Sequence, residues 1–171
     1  VSIGDAGSGT EANAKALLAA YGVSLDDITA QNLSAGSSAD AMKDGKLDVF
    51  FFTSGAPTTA ITELQTAMDI YLLGLDDAVM DAFIADNKVG DYAVYAKMAV
   101  THDQYDCIPA DAPITTIGVT ATYIVSNSLS EDQVYNMTKA LWENKDEIAK
   151  AHAVGSGMDI NNAFVTIGNV P

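Results

Sequence analysis

Arginine is absent from these 171 residues. All eight basic side chains are lysines, set against 23 acidic ones, and the net charge is −15. No basic patch can form on such a surface. That excludes nucleic acid as a partner, because the interaction rests on cations that neutralise phosphates. An anionic membrane surface is disfavoured on the same ground. Cysteine is nearly absent too: Cys107 stands alone, so no internal disulfide can form. No apolar run approaches the ~20 residues of a membrane span.

Catalytic residue sets are equally scarce. The two histidines, His102 and His152, are far apart in the chain and belong to no partner motif. The spacing of His102-Asp103-x-x-Asp106-Cys107 matches no standard metal site. There is no Gly-x-Ser-x-Gly elbow for a nucleophile, and Cys107 has no base near it in sequence. Tyrosines and Trp142 read as packing residues. No cofactor or metal is expected, and the chain reads as a non-enzyme.

What is present is a pattern of short apolar runs alternating with helix-like stretches. Val1 to Thr10 reads as a strand and a glycine-rich turn, running into the alanine-rich helix Glu11–Tyr21. Ser8 or Thr10 can cap that helix, and Gly7 and Gly9 leave no Cβ in the way of a ligand. Backbone N–H groups and the helix dipole then make the turn an anion site. A phosphate loop would need a lysine after Gly9, where Thr10 stands. Gly7-x-Gly9-x-x-Ala12 nearly matches a dinucleotide fingerprint. That fingerprint wants an acid closing the second strand, where Ser34 stands.

Three further units follow: a strand at 28–34 with a helix stopped by Gly45, a strand at 47–53 with a helix at 59–66, and a strand at 69–74 with a helix at 76–84. Strands alternating with helices predict a mostly parallel sheet covered on both faces. The run Val49–Phe52 fits a central strand buried on both sides. Residues 91–113 read as irregular. Residues 116–126 read as one long strand, followed by a helix opened by a Ser130-x-x-Gln133 capping box. A second glycine loop, Thr53-Ser54-Gly55-Ala56-Pro57-Thr58, precedes a helix whose first turn Pro57 would occupy. Ligands of open parallel sheets sit at the carboxyl ends of strands. Loops 4–10 and 53–58 should therefore lie side by side and take a small anion such as a carboxylate.

These residues carry a resemblance. The Gly4-Asp5-Ala6-Gly7-Ser8-Gly9-Thr10 start, Asn32-Leu33-Ser34, the block Asp44-Gly45-Lys46-Leu47-Asp48-Val49-Phe50-Phe51-Phe52, Gly55-Ala56-Pro57-Thr58 and the 132–147 helix resemble a lobe of type II periplasmic binding proteins. More closely, they are similar to the TAXI (TRAP-associated extracytoplasmic immunogenic) solute receptors of tripartite transporters. The resemblance implies two α/β lobes with a ligand between them. Residues 1–115 would be the ligand-clasping lobe, and 116–171 a crossover strand and a helix of the partner lobe. It implies an extracytoplasmic receptor delivering a small organic anion or amino acid, such as glutamate or glutamine, to a TRAP-type membrane permease. Ser8, Gly9, Thr10, Ser54, Gly55, Ala56, Pro57 and Thr58 would contact the ligand. Tyr105 would do so by analogy with a turn before the crossover. The lack of arginine departs from receptors that clamp carboxylate with guanidinium.

Two other readings use the same loops: an α/β enzyme acting on a nucleotide or phosphorylated substrate, and an effector-binding domain of a cytoplasmic regulator. The chain opens inside a strand without an initiator methionine, so it is expected to be a piece of a longer protein whose full form has a signal peptide. Its partner-lobe surface, including Tyr123, Val134 and Leu141, is expected to be exposed or to self-associate.

Overall fold

The computed structural model describes residues 1–163. The described residues form six helices and four short strands in the order α1 (Gly9–Ala20), α2 (Ala35–Lys43), α3 (Thr59–Ala67), α4 (Asp77–Asp86), then strands β1 (Lys88–Val89), β2 (Tyr92–Ala93), β3 (Tyr95–Val100) and β4 (Ile114–Val119), then α5 (Glu131–Glu143) and α6 (Lys145–Ala151). Short 3-10 turns lie at Leu25–Asp27, Ala153–Gly157 and Ile160–Asn162. The fold is mixed α/β.

Helix starts follow local capping. Ser8, Ser34 and Ser130 each occupy an N-cap and accept from a first-turn backbone N–H. At α5 the bond is reciprocated by Gln133, which completes the expected capping box. Gly22 and Gly45, at φ +71° and +68°, follow α1 and α2 in the left-handed conformation that ends helices.

The named strands are all antiparallel: β1 with β2, and β3 with β4 over its full length from Tyr95–Val119 to Val100–Ile114. The expected parallel sheet is reduced, among the described residues, to bridges from Ser2 to Gln31 on one side and to Phe50 on the other. The Ser2 N–H donates to Val49 O (2.8 Å) and the Phe51 N–H to Ser2 O (2.9 Å). The Ile3 N–H donates to Gln31 O (3.0 Å) and the Gln31 N–H to Val1 O (2.9 Å). The order of these parallel segments is therefore 31–2–50, with none long enough to be a strand.

Burial explains the shortfall. A parallel strand has both faces covered, yet Val49 and Phe52 are each 40% exposed. The run predicted as a doubly buried centre is thus half open. Likewise 69–74 forms no regular strand, and Tyr71 and Leu73 are exposed. The stretch predicted as irregular contains β3, whose partner is the first part of the predicted 116–126 strand. Residues 120–126 form no regular element, and Tyr123 and Ile124 project outward.

The core nearest the second glycine loop joins Ile61 of α3 to Tyr105 and Ile108 of the β3–β4 connection. Phe50, Ile70, Leu72, Val100 and Ile114 pack against it. Leu64, Met80 and Phe83 bury the inner faces of α3 and α4. Phe83 meets Tyr95 edge-on at 4.9 Å between ring centroids. Lys97 of β3 reaches Asp77 and Asp81 of α4 at 2.8 and 2.9 Å. Helix α5 has no buried residue: Val134 and Leu141 are half-buried, Tyr135 and Met137 exposed.

Candidate functional site

Loops 4–10 and 53–58 lie side by side, as their positions after adjacent segments require. The Thr53 N–H donates to Thr10 Oγ1 at 3.3 Å. Asn13 Nδ2 donates to Thr53 Oγ1 at 3.0 Å, and Asn13 Oδ1 accepts from the Tyr95 hydroxyl at 2.8 Å. One chain of polar contacts thus runs from β3 through α1 to both loops. Asn13 stands three residues after Thr10, on the same helix face. That spacing is the signal in the sequence that marks Asn13 as part of the frame.

The two loops differ in what already meets their donors. In the first, the Ser8 hydroxyl accepts from the Glu11 N–H at 3.1 Å, so its cap is internal. The Glu11 carboxylate then folds back on the loop. It pairs with Lys15 at 2.8 Å and accepts from the Gly7 N–H at 2.6 Å and from Asn32 Nδ2 at 3.2 Å. Lys15 first, then the Gly7 N–H and Asn32, hold its carboxyl down at about 2. The protein's own anion therefore occupies part of the expected site. Open space remains beside Gly9, where an added Cβ would meet nothing within 4 Å. Gly4, at φ +93°, is closed in instead: a Cβ added there would lie only 2.6 Å from Thr10 Cγ2.

The second loop has no such internal anion. The first turn of α3 holds no acidic residue, and its N-cap Thr58 makes no side-chain cap bond. Thr58 Oγ1 is buried, with no hydrogen-bond partner among the described residues. A buried hydroxyl without a partner is costly, and here it sits at the positive end of a helix. Pro57, predicted in the first helical turn, precedes the N-cap instead, joined to Ala56 by a cis bond.

The supports of this loop come from the β3–β4 connection. The Thr58 N–H donates to the Tyr105 hydroxyl at 2.9 Å, and Gln104 Nε2 to Ala56 O at 3.3 Å. Tyr105 is buried, so it braces the loop from beneath. Expected as a ligand contact, it here has its hydroxyl on the Thr58 N–H. The Ser54 hydroxyl donates to Gly55 O at 3.2 Å. Gly55 faces Val154 of the Ala153–Gly157 turn, whose Cγ2 lies 2.5 Å from where a Cβ would stand.

His102 Nδ1 lies 2.8 Å from the Ile108 carbonyl, which can only accept, so that nitrogen carries the proton and ties down the connection. Burial pushes the Cys107 thiol up, away from the thiolate form. Among the described residues, no group of three or more His, Cys, Asp or Glu side chains is arranged to hold a metal. None of the described helices is long and apolar enough to cross a membrane.

A family model described as the NMT1-like family matches residues 1–171. The chain belongs to the NMT1-like family. This is a periplasmic-binding-protein-like family of solute-binding chains. The family is not normally enzymatic, and its members are typically extracytoplasmic. The family reading supports a solute-binding receptor for a small molecule in general. In this NMT1-like protein, space is open beside Gly9, and the first turn of α3 holds no acidic residue.

Proposed function

We propose that this chain is the ligand-clasping part of an extracytoplasmic solute receptor of the TAXI type. It captures a small organic anion or amino acid, such as glutamate or glutamine, and delivers it to a TRAP-type permease. Residues 1–115 form most of one lobe, with a parallel-sheet topology reduced to its central bridges. Residues 116–171 supply a crossover and a helix of the other lobe. On this reading the exposed α5 face packs on that lobe.

The observation that carries the reading is the N-terminus of α3, with no acidic side chain in its first turn, beside the buried Thr58 hydroxyl, which has no partner among the described residues. A carboxylate there gains roughly 0.3–1 kcal/mol from the helix dipole, and up to about 2 when partly buried. Each charge-assisted hydrogen bond adds about 1.5–3 kcal/mol before the cost of association. Gly9, Thr10 and Ser8 hold a second polar group of the ligand from the adjacent loop, and Ser54 and Gly55 line the approach.

Calorimetry with L-glutamate, L-glutamine and straight-chain dicarboxylates on the full-length protein tests this. Binding is expected, and Thr58→Val should weaken it by roughly tenfold, one charge-assisted hydrogen bond. The same variant should leave the unliganded fold as stable or slightly more so, because the hydroxyl it removes has no partner. Absence of heat with every probe would overturn the assignment to anions and amino acids. Thr58→Val binding like the parent would remove α3 from the site.

A further inference from the structure

Helices α1 and α4 lie side by side and antiparallel. At one end the Asp76 N–H donates to the hydroxyl of Tyr21, the C-cap of α1, at 2.9 Å. At the other the Tyr95 hydroxyl donates to Asn13 Oδ1 of α1 at 2.8 Å, while its ring meets Phe83 of α4. A groove of about 430 Å³ runs between the two helices, away from both glycine loops. Ala16 and Ala20 line it from α1, Ala78 and Ala82 from α4, with the buried Phe83 beneath.

The groove owes its room to short side chains. Ala16 and Ala20 are one turn apart, as are Ala78 and Ala82, so each pair makes a low ridge along its helix. Ala20, Ala78 and Ala82 are exposed. At exposed helix positions lysine, glutamate or glutamine serves nearly as well as alanine, and their long stems would cover the apolar surface.

The charge of the groove is one-sided. Asp86 lines it and is the last residue of α4. The last turn of that helix has no basic residue, so the carboxylate stands unfavourably at the negative end of the dipole. Among the described residues Asp86 makes no ion pair, unlike Asp77 and Asp81, which hold Lys97. Lys88, two residues further on, does not line the groove. An occupant therefore needs an apolar body and a cation at the Asp86 end. A second copy of the chain fits poorly, because each carries a net charge of −15.

We propose that the α1–α4 groove docks an amphipathic helix of a partner protein. Its apolar residues lie between the alanine ridges, and a lysine or arginine meets Asp86. This is helix-in-groove recognition. The ten residues of α4 span ~15 Å, which matches about three turns of a docked helix. The proposal does not depend on which solute the glycine loops take.

The probe is an amphipathic helical peptide of leucine and lysine, about 14 residues long so that it holds a helix, with its leucine–glutamate counterpart as control. Anisotropy titration on the full-length protein should show binding of the lysine peptide and not of the glutamate one. Asp86→Asn should weaken it roughly tenfold, the value of one charge-assisted contact. Ala82→Phe should weaken it at least as much by filling the groove. Asp111→Asn, which removes the same charge from the β3–β4 connection, should leave it unchanged. Both groove variants should keep the parent's Tm, since the side chains they replace are exposed. Amide exchange should slow at residues 16–20 and 78–87 when the lysine peptide is bound. Failure of the lysine peptide to bind would overturn the proposal. Equal binding of the two peptides, an equal loss in Asp111→Asn, or slowed exchange confined to other residues would do so as well. A dimer in sedimentation that Ala82→Phe abolishes would assign the groove to a second copy and overturn it too.

Discussion

The Tyr105 hydroxyl accepts the Thr58 N–H at 2.9 Å across 47 residues of chain. It thereby joins the β3–β4 connection to the cap of α3. Tyr105 is 5% exposed and packs with Ile61 and Ile108, so its ring and its hydroxyl do separate work. Tyr105→Phe should keep the packing and lose the acceptor. A net loss of about 0.5–1.5 kcal/mol is expected, rising toward about 3 if the Thr58 N–H finds no water. Chemical denaturation measures it. Amide exchange at Thr58 should quicken in the variant, and protection equal to the parent's would show that the bond is not formed in solution.

A buried pair of hydroxyls ties the central bridge to α2. Ser38 Oγ donates to Ser2 Oγ at 2.9 Å, and both residues are buried. Either single alanine leaves one hydroxyl buried without a partner, at a cost of about 1–3 kcal/mol. The double variant removes both and should be much less destabilised than the sum of the singles. A double-mutant cycle by urea unfolding checks this; additive singles would mean that water already serves one hydroxyl.

The elements set by local chemistry were legible in the sequence. Helix caps at Ser8 and Ser130, the glycine stops and the neighbouring loops follow from residue types a few positions apart. The sheet was not legible, because strand pairing depends on what covers each face. Val49–Phe52 has the composition of a buried strand, but Val49 and Phe52 are not covered, and only Phe50 bridges to Ser2. In the candidate site, loop positions were readable, whereas commitments of individual atoms were not. That Glu11 turns back to the Gly7 N–H, that Tyr105 lies under the loop and that Val154 meets Gly55 are contacts made by the fold. Asn13 alone among the framing residues had a usable signal, its helical spacing from Thr10.

Glu11 gives the first loop a pH dependence with a defined sign. Its carboxyl is held near 2 in the folded chain against an ordinary 4.5, so the unfolded chain takes up its proton first as pH falls. The stability it contributes is fully present above about 4.5 and is lost as pH falls toward 2. Glu11→Gln should therefore lower Tm at neutral pH, and the gap to the parent should shrink across that acid window. Thermal unfolding from pH 7 to 2 checks it. Salt should narrow the gap as well, because the Lys15 pair is partly exposed. Parallel curves for parent and variant would show that the carboxylate does not hold the loop.

Two glycines of the first loop should separate fold from binding. Gly4 sits at φ +93°, and any Cβ there would press on Thr10 Cγ2 at 2.6 Å. Gly4→Ala must adopt a conformation costing about 1–3 kcal/mol, or move Thr10, whose hydroxyl holds the Thr53 N–H. It should lower Tm and loosen both loops together. Gly9 is different: it begins α1 without a positive φ, and nothing lies within 4 Å of an added Cβ. Gly9→Ala should leave the fold unharmed, or stabilise it by up to about 1 kcal/mol through helix propensity. Backbone strain is therefore no reason for Gly9; on the proposed reading, room for an anion at the α1 donors is. Gly9→Val should then keep a parent-like Tm while abolishing binding of L-glutamate in the full-length protein, because its branched side chain fills the space beside those donors. Calorimetry and thermal unfolding on the three variants decide it. If Gly9→Val binds like the parent, the first loop is a structural turn and the ligand belongs to α3 alone.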